Sequence, residues 1–120
     1  MKQPSVSVVL RNSDGLFLGV SRKDDHTKFG LVGGKVEPTD PNMLMAAIRE
    51  TKEETGLDIY DLELVFETEW KGRYQQTFLA KWKGYIHTDE PHVVKWVTKD
   101  ELINGPFGEY NINLFNEMGI

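Results

Sequence analysis

Arg49-Glu50-Thr51-Lys52-Glu53-Glu54-Thr55-Gly56 is the stretch best equipped for chemistry. Glu50, Glu53 and Glu54 stand at i, i+3 and i+4, so on a helix they share one face. Like charges at that spacing repel one another. Near a helix C-terminus they also meet the negative end of the macrodipole. Each effect is worth roughly a few tenths of a kcal/mol on an exposed face. Both have the wrong sign for an empty surface, and a bound dication would reverse both. Carboxylate oxygens are the ligands that hard Mg²⁺ or Mn²⁺ prefers. The alternative for three glutamates alone is a solvated acidic face, with Lys52 and Arg49 as partial neutralisers. Gly33-Gly34 upstream favours the metal reading, because glycines allow a backbone to come close to a ligand. Taken alone, the pair reads equally well as a plain tight turn.

The elements that must hold these groups follow from pattern. Ser5 to Leu10 is rich in β-branched residues and reads as a strand. The Asn12-Ser13-Asp14-Gly15 turn returns it through Leu16 to Ser21, which predicts a hairpin. Arg22 to Lys28 is a polar loop, and Phe29 to Val36 reads as a short strand entering a tight turn at its glycines. The main helix is expected to start at an Asp40 N-cap with Pro41 in the first helical position, and to stop at Gly56. Leu44, Ala47, Ile48 and Thr51 form its buried stripe, with the three acids beside it. Leu62 to Trp70 and Tyr74 to Trp82 are strand-like and joined at Lys71-Gly72, and Val93 to Val97 is a further strand. Thr98 to Glu101 is a capping box that opens a short helix, and Asn111 to Met118 has the pattern of a last one. Strands on both sides of the main helix predict a mixed sheet with helices packed on it.

Gly34-x5-Asp40-x8-Arg49-Glu50-Thr51-x-Glu53-Glu54-x-Gly56-Leu57, led by Gly33-Gly34-Lys35-Val36-Glu37-Pro38, resembles the signature box of the Nudix hydrolases. Asp40 stands where that box has Glu, one extra residue lies between Asp40 and Arg49, and Thr51 replaces an aliphatic residue. The resemblance implies an α/β/α sandwich with a mixed central sheet. It also implies Mg²⁺- or Mn²⁺-dependent hydrolysis of a nucleoside diphosphate linked to another group. Carried over, Glu50, Glu53 and Glu54 resemble the metal ligands, and Arg49 would hold a carboxylate of the catalytic cluster in position. Gly34 would shape a loop that approaches the pyrophosphate.

A pyrophosphate resists attack because its anionic oxygens repel nucleophiles. Divalent ions neutralise them and lower the pKa of a water, and a nearby carboxylate takes the proton. Glu53 is the first choice for that base and Glu54 the next. Glu90, before the Val93 strand, is the candidate outside the box, with an ordinary loop residue as its plainer reading. Lys23, Lys28 and Lys35 gather near the glycines and suit a polyphosphate. Asn111 resembles the position of a base-reading Asn in MutT-type triphosphatases, though an N-cap role explains it equally well. Gly33, Gly34, Lys35 and Asn111 are therefore the expected substrate contacts. Tyr74 lies where some dinucleoside-polyphosphate enzymes of the family carry a tyrosine. Core packing is the default for it and the other aromatics, and His92 reads as a strand-edge residue.

The chain has 120 residues, with 14 Lys+Arg against 19 Asp+Glu and a net charge of −5. That length predicts one domain over residues 1–120. The acidic balance argues against a duplex nucleic-acid partner, and no apolar run is long enough for a membrane span or a secretory signal. There are no cysteines, consistent with a cytoplasmic protein. The three histidines lack the spacing of a zinc site, and neither a P-loop nor a nucleophile elbow is present. The expectation is a monomer or homodimer acting on a small nucleotide. A nucleoside triphosphate, ordinary or oxidised, would be hydrolysed to monophosphate and pyrophosphate. ADP-ribose, a dinucleoside polyphosphate, or nucleotide sensing without turnover are the alternatives.

Overall fold

The computed structural model describes residues 2–120. In chain order the elements are β1 (Ser5–Val9), β2 (Phe17–Ser21), β3 (Phe29–Lys35), α1 (Met43–Thr55), β4 (Asp58–Trp70), β5 (Arg73–Lys83), β6 (Val94–Val97), α2 (Lys99–Ile103) and α3 (Gly108–Met118). The six strands form one sheet in the order β4-β5-β1-β3-β2-β6. Only β1 and β5 run parallel; every other pair is antiparallel.

The sheet is covered on both faces, which makes the expected α/β/α sandwich. Val6, Val8, Leu18, Val20 and Val32 pack toward Ala46 and Ala47 of α1. Val9, Phe17, Phe29 and Val97 pack on the other side with Leu102 of α2 and Tyr110, Leu114 and Phe115 of α3. No helix among the described residues is long and apolar enough to cross a membrane.

Four local expectations need correcting. The first is the β1–β2 hairpin. The two segments touch only at their turn, where Arg11 bridges Phe17 and the Asn12 side chain accepts from the Asp14 and Leu16 N–H groups. Beyond it they separate, and β3 lies between them. Every residue of β2 is buried and β1 carries buried residues on both faces. Each is an interior strand with two neighbours, which suits an apolar run better than a two-stranded ribbon.

The second concerns Gly33-Gly34. They are not a turn but the end of β3, paired with Ser7 and Val6 of β1. The third is the start of α1. Its N-cap is Asn42, whose Oδ1 accepts from the Met45 N–H at 2.8 Å. Asp40 turns back instead, toward Glu37 and Arg49. Leu44 is consequently 39% exposed, and the fully buried face is Ala46, Ala47, Thr51 and Thr55. The two threonine hydroxyls donate to Ala47 O and Thr51 O, so their burial leaves nothing unpaired.

The fourth is α3, which begins at Gly108, so Asn111 lies within its first turn and is no N-cap. The capping box on α2 forms as expected, with Thr98 and Glu101 bonded reciprocally. Lys71 and Gly72 both have positive φ, as a two-residue hairpin between β4 and β5 needs.

Candidate active site

The site is built where the end of β3 passes α1. A Cβ on Gly34 would lie 2.4 Å from Cδ of Glu50, so the absent side chain is the space that the Glu50 carboxylate fills. The Gly33 N–H donates to Glu54 Oε1 at 2.8 Å. The close approach expected of the glycines is therefore made first to the protein's own acids. Glu53 turns outward, half exposed, with Oε2 3.0 Å from Arg49 Nη1.

Arg49 organises this edge. Nε and Nη2 each donate to an Asp40 carboxylate oxygen at 2.9 Å, a two-pronged charge-assisted contact. Nη1 also lies 3.2 Å from Glu50 Oε1, and Nη2 donates to Lys35 O. Asp40, in the bend before α1, is thus tied to Arg49 nine positions further along. The bond to Arg49 and the Glu37 N–H hold Asp40 below the usual carboxylate range.

Glu54 is the opposite case. Burial pushes its carboxyl up to about 8, against the Gly33 N–H, and the nearby Glu50, Glu90 and Glu53 add to the effect. Glu50 is raised as well, chiefly by burial, with Arg49 opposing. Among the described residues no three His, Cys, Asp or Glu side chains are grouped closely enough to hold an ion as they stand. The donor set nevertheless suits a hard dication. It is all oxygen and partly buried, and Arg49 is the cation bonded to it, on its outer side. A divalent charge between Glu50 and Glu54 would offset both the burial and the neighbouring negative charges that raise the Glu54 carboxyl.

A cleft of about 450 Å³ opens against Gly33, Gly34 and Lys35. Ser5, Ser7 and Gln75 line it from β1 and β5, and Lys2, Lys71 and Arg73 supply positive charge. Trp70, Phe107 and Tyr110 give it an aromatic wall, and Asn111 is also in its lining. The Asn111 amide donates to Leu102 O at 3.2 Å, which fixes the side chain in place. Ser7 Oγ, Thr77 Oγ1 and the Tyr110 hydroxyl form a hydrogen-bonded chain at the cleft floor.

The structure does not gather the three loop lysines. Lys35 lines the cleft, Lys23 a smaller hollow that also reaches Gly33, Glu54 and His92, and Lys28 a third hollow beside Asp24 and Asp25. Tyr74 is 40% exposed and outside the cleft lining, whereas its neighbours Arg73 and Gln75 are part of it.

The family model for the NUDIX domain matches residues 1–116. The chain belongs to the Nudix family. An RNA pyrophosphohydrolase from Roseobacter denitrificans is 33% identical, with 78% of this chain and 74% of that protein aligned. Among solved structures, a MutT described for Aliivibrio salmonicida and Vibrio cholerae superposes with a TM-score of 0.79 at 23% identity, covering 99% of this chain and 98% of that one. An ADP-ribose pyrophosphatase from Streptococcus suis gives 0.76 at 19% identity, covering 99% and 92%. This Nudix protein is thus a hydrolase acting on pyrophosphate bonds, in a family that generally uses divalent metal ions.

Several residues at the Nudix site escaped the sequence reading. Ser5 and Ser7 alternate with Val6 and Val8 along β1, a legible sign that one face turns to something polar. Tyr110 and Arg73 carry no such sign, because only the folded sheet brings α3 and β5 together at the cleft. His92 is buried rather than at a free strand edge. Its Nε2 lies 2.9 Å from Glu54 O and its Nδ1 3.3 Å from Glu90 Oε2. Glu90, from the loop before β6, is thereby brought within the field of Glu50 and Glu54.

Proposed function

We propose that this Nudix hydrolase cleaves a nucleoside triphosphate, ordinary or oxidised, to the monophosphate and pyrophosphate with Mg²⁺ or Mn²⁺. The observation that carries this reading is the cleft. It ends against Gly33-Gly34, with Glu50 and Glu54 packed on the same two residues, and it falls within the size range of small-ligand sites. Glu50, Glu53 and Glu54 hold the metal. When bound, the ion neutralises phosphate oxygens and lowers the pKa of the attacking water. Glu53, the most exposed of the three, accepts the water's proton, with Glu54 next in line. Arg49 fixes the helix edge by gripping Asp40. The bare backbone of Gly33 and Gly34 lets the phosphates approach, and Lys35 meets their charge. The base lies among Trp70, Phe107 and Tyr110, with Asn111 reading its edge.

A second reading is favoured by the cationic side of the cleft. Lys2, Lys71 and Arg73 extend it beyond what a mononucleotide's phosphates need, and the relative from Roseobacter is named for RNA. In that reading the substrate is the 5′-triphosphate end of an RNA.

One assay decides between them. Ordinary and oxidised nucleoside triphosphates, ADP-ribose, a dinucleoside polyphosphate and a 5′-triphosphorylated oligoribonucleotide are supplied at equal concentration with Mg²⁺. The triphosphates should release monophosphate and pyrophosphate, EDTA should stop the reaction, and Glu53→Gln should lose on the order of 10² in rate. Preference for the oligonucleotide would establish the second reading, and tight binding without turnover would make the protein a sensor.

A further inference from the structure

Residues 84–93, between β5 and β6, do more than connect two strands. The carbonyls at the end of α1 lack partners within the helix, and this segment supplies donors. The His87 N–H donates to Thr55 O at 2.7 Å, His92 Nε2 lies 2.9 Å from Glu54 O, and the Thr88 hydroxyl reaches Glu53 O at 3.5 Å. The segment is thus tied to the same three consecutive residues that end the acidic edge.

His92 makes the tie specific. Its side chain is only 2% exposed. A carbonyl oxygen can only accept, so Nε2 carries a hydrogen. Nδ1 stands 3.3 Å from Glu90 Oε2, within reach of an ion pair. One buried ring thus bridges the Glu90 carboxylate and the backbone of Glu54.

We infer that His92 is a positioning residue, which acts by holding Glu90 against the acidic cluster of Glu50 and Glu54. The inference rests on the pyrophosphohydrolase reading above. His92 is not among the residues that line the cleft, and it meets Gly33 and Glu54 in the smaller hollow beside it. Its effect passes through Glu90 on one side and the end of α1 on the other.

The two ring nitrogens give the test. Gln at position 92 can donate to Glu54 O, but its one nitrogen cannot also reach Glu90. His92→Gln should therefore keep the helix tie and lose the hold on Glu90. With Mg²⁺ and whichever of ATP, GTP, dATP and dGTP the wild type cleaves fastest, kcat should fall about tenfold or more with KM little changed, as removal of a supporting partner does. The melting temperature should stay near that of the wild type. Glu90→Gln should lose at least as much. The double variant should be no slower than Glu90→Gln alone, because both changes remove the same interaction. A ¹⁵N spectrum of the imidazole in the metal-free protein supplies a readout independent of turnover: Glu90→Gln should move the Nδ1 resonance and leave Nε2 nearly unchanged. Full kcat in His92→Gln, losses that multiply in the double variant, or an unmoved Nδ1 would each overturn the inference. A wild type that cleaves none of the four nucleotides, with Nδ1 still responding to Glu90→Gln, would count against the triphosphatase reading and leave the His92–Glu90 contact standing.

Discussion

Two adjacent glycines at the end of β3 have different reasons to be glycine. At Gly34 an added Cβ meets the far end of the Glu50 side chain, which can swing away. At Gly33 it meets the Val6 carbonyl oxygen at 2.2 Å, and backbone cannot move so cheaply. The expected outcomes differ accordingly. Gly34→Ala should fold with almost unchanged stability but lose on the order of tenfold or more in turnover, because it displaces a carboxylate that must be held in place. Gly33→Ala should cost about 1–3 kcal/mol of stability through overpacking. Urea unfolding and initial rates on both variants check this. Equal effects of the two substitutions on stability would show that the Gly34 space is not reserved for Glu50. The sequence marks both residues as points of close approach. It cannot say what approaches, since Glu50 lies sixteen positions further along.

At the level of elements, α1 shows how a local pattern can be right in kind and wrong in place. Asp40-Pro41 satisfies the rules for a helix start, and so does Asn42 two positions on. The choice falls to Asn42 because Arg49 offers Asp40 a stronger partner than a backbone N–H. Asn42→Ala should therefore lower stability by about 1 kcal/mol with kcat unaffected, as loss of an N-cap does. Asp40→Asn should do the reverse, lowering kcat through Arg49 with the helix start intact. Paired melting curves and kinetics separate the two; a kcat loss in Asn42→Ala would return the capping role and the Arg49 grip to one unit. The spacing of Glu50, Glu53 and Glu54 is fully legible because a helix fixes it. The arrival of Glu90 and His92 is not, because the path from β5 to β6 is set by which strands become neighbours.

Across the whole molecule, the layers and the capping box of α2 can be read from pattern, whereas strand order cannot. Both β1 and β2 are apolar enough to pair with any neighbour, and the separation of their ends by β3 is decided by the two cores the sheet must cover. The same burial writes a signature into stability. The Glu54 pKa lies near 8 when folded and near 4.5 when unfolded, so the folded state holds this proton more tightly. That contribution is fully present below about pH 4.5 and is lost as pH rises through about 8. The metal-free protein's melting temperature should decline across that interval, with a smaller slope in Glu54→Gln and in saturating Mg²⁺. Asp40 works at the other end: its lowered pKa gives stability that is lost as pH falls through the folded value.

Catalysis at this edge depends on where the cation goes, and a Mn²⁺ titration of the ¹⁵N-labelled protein reads that location without any substrate. Paramagnetic broadening should strike the amides of Gly33, Gly34, Glu50 and Glu54 first, and it should vanish at those positions in the Glu50→Gln/Glu54→Gln double variant. Uniform weak broadening, or selective broadening centred on another acidic surface such as Asp24-Asp25, would contradict the assignment of the α1 edge as the metal-holding part of this Nudix hydrolase.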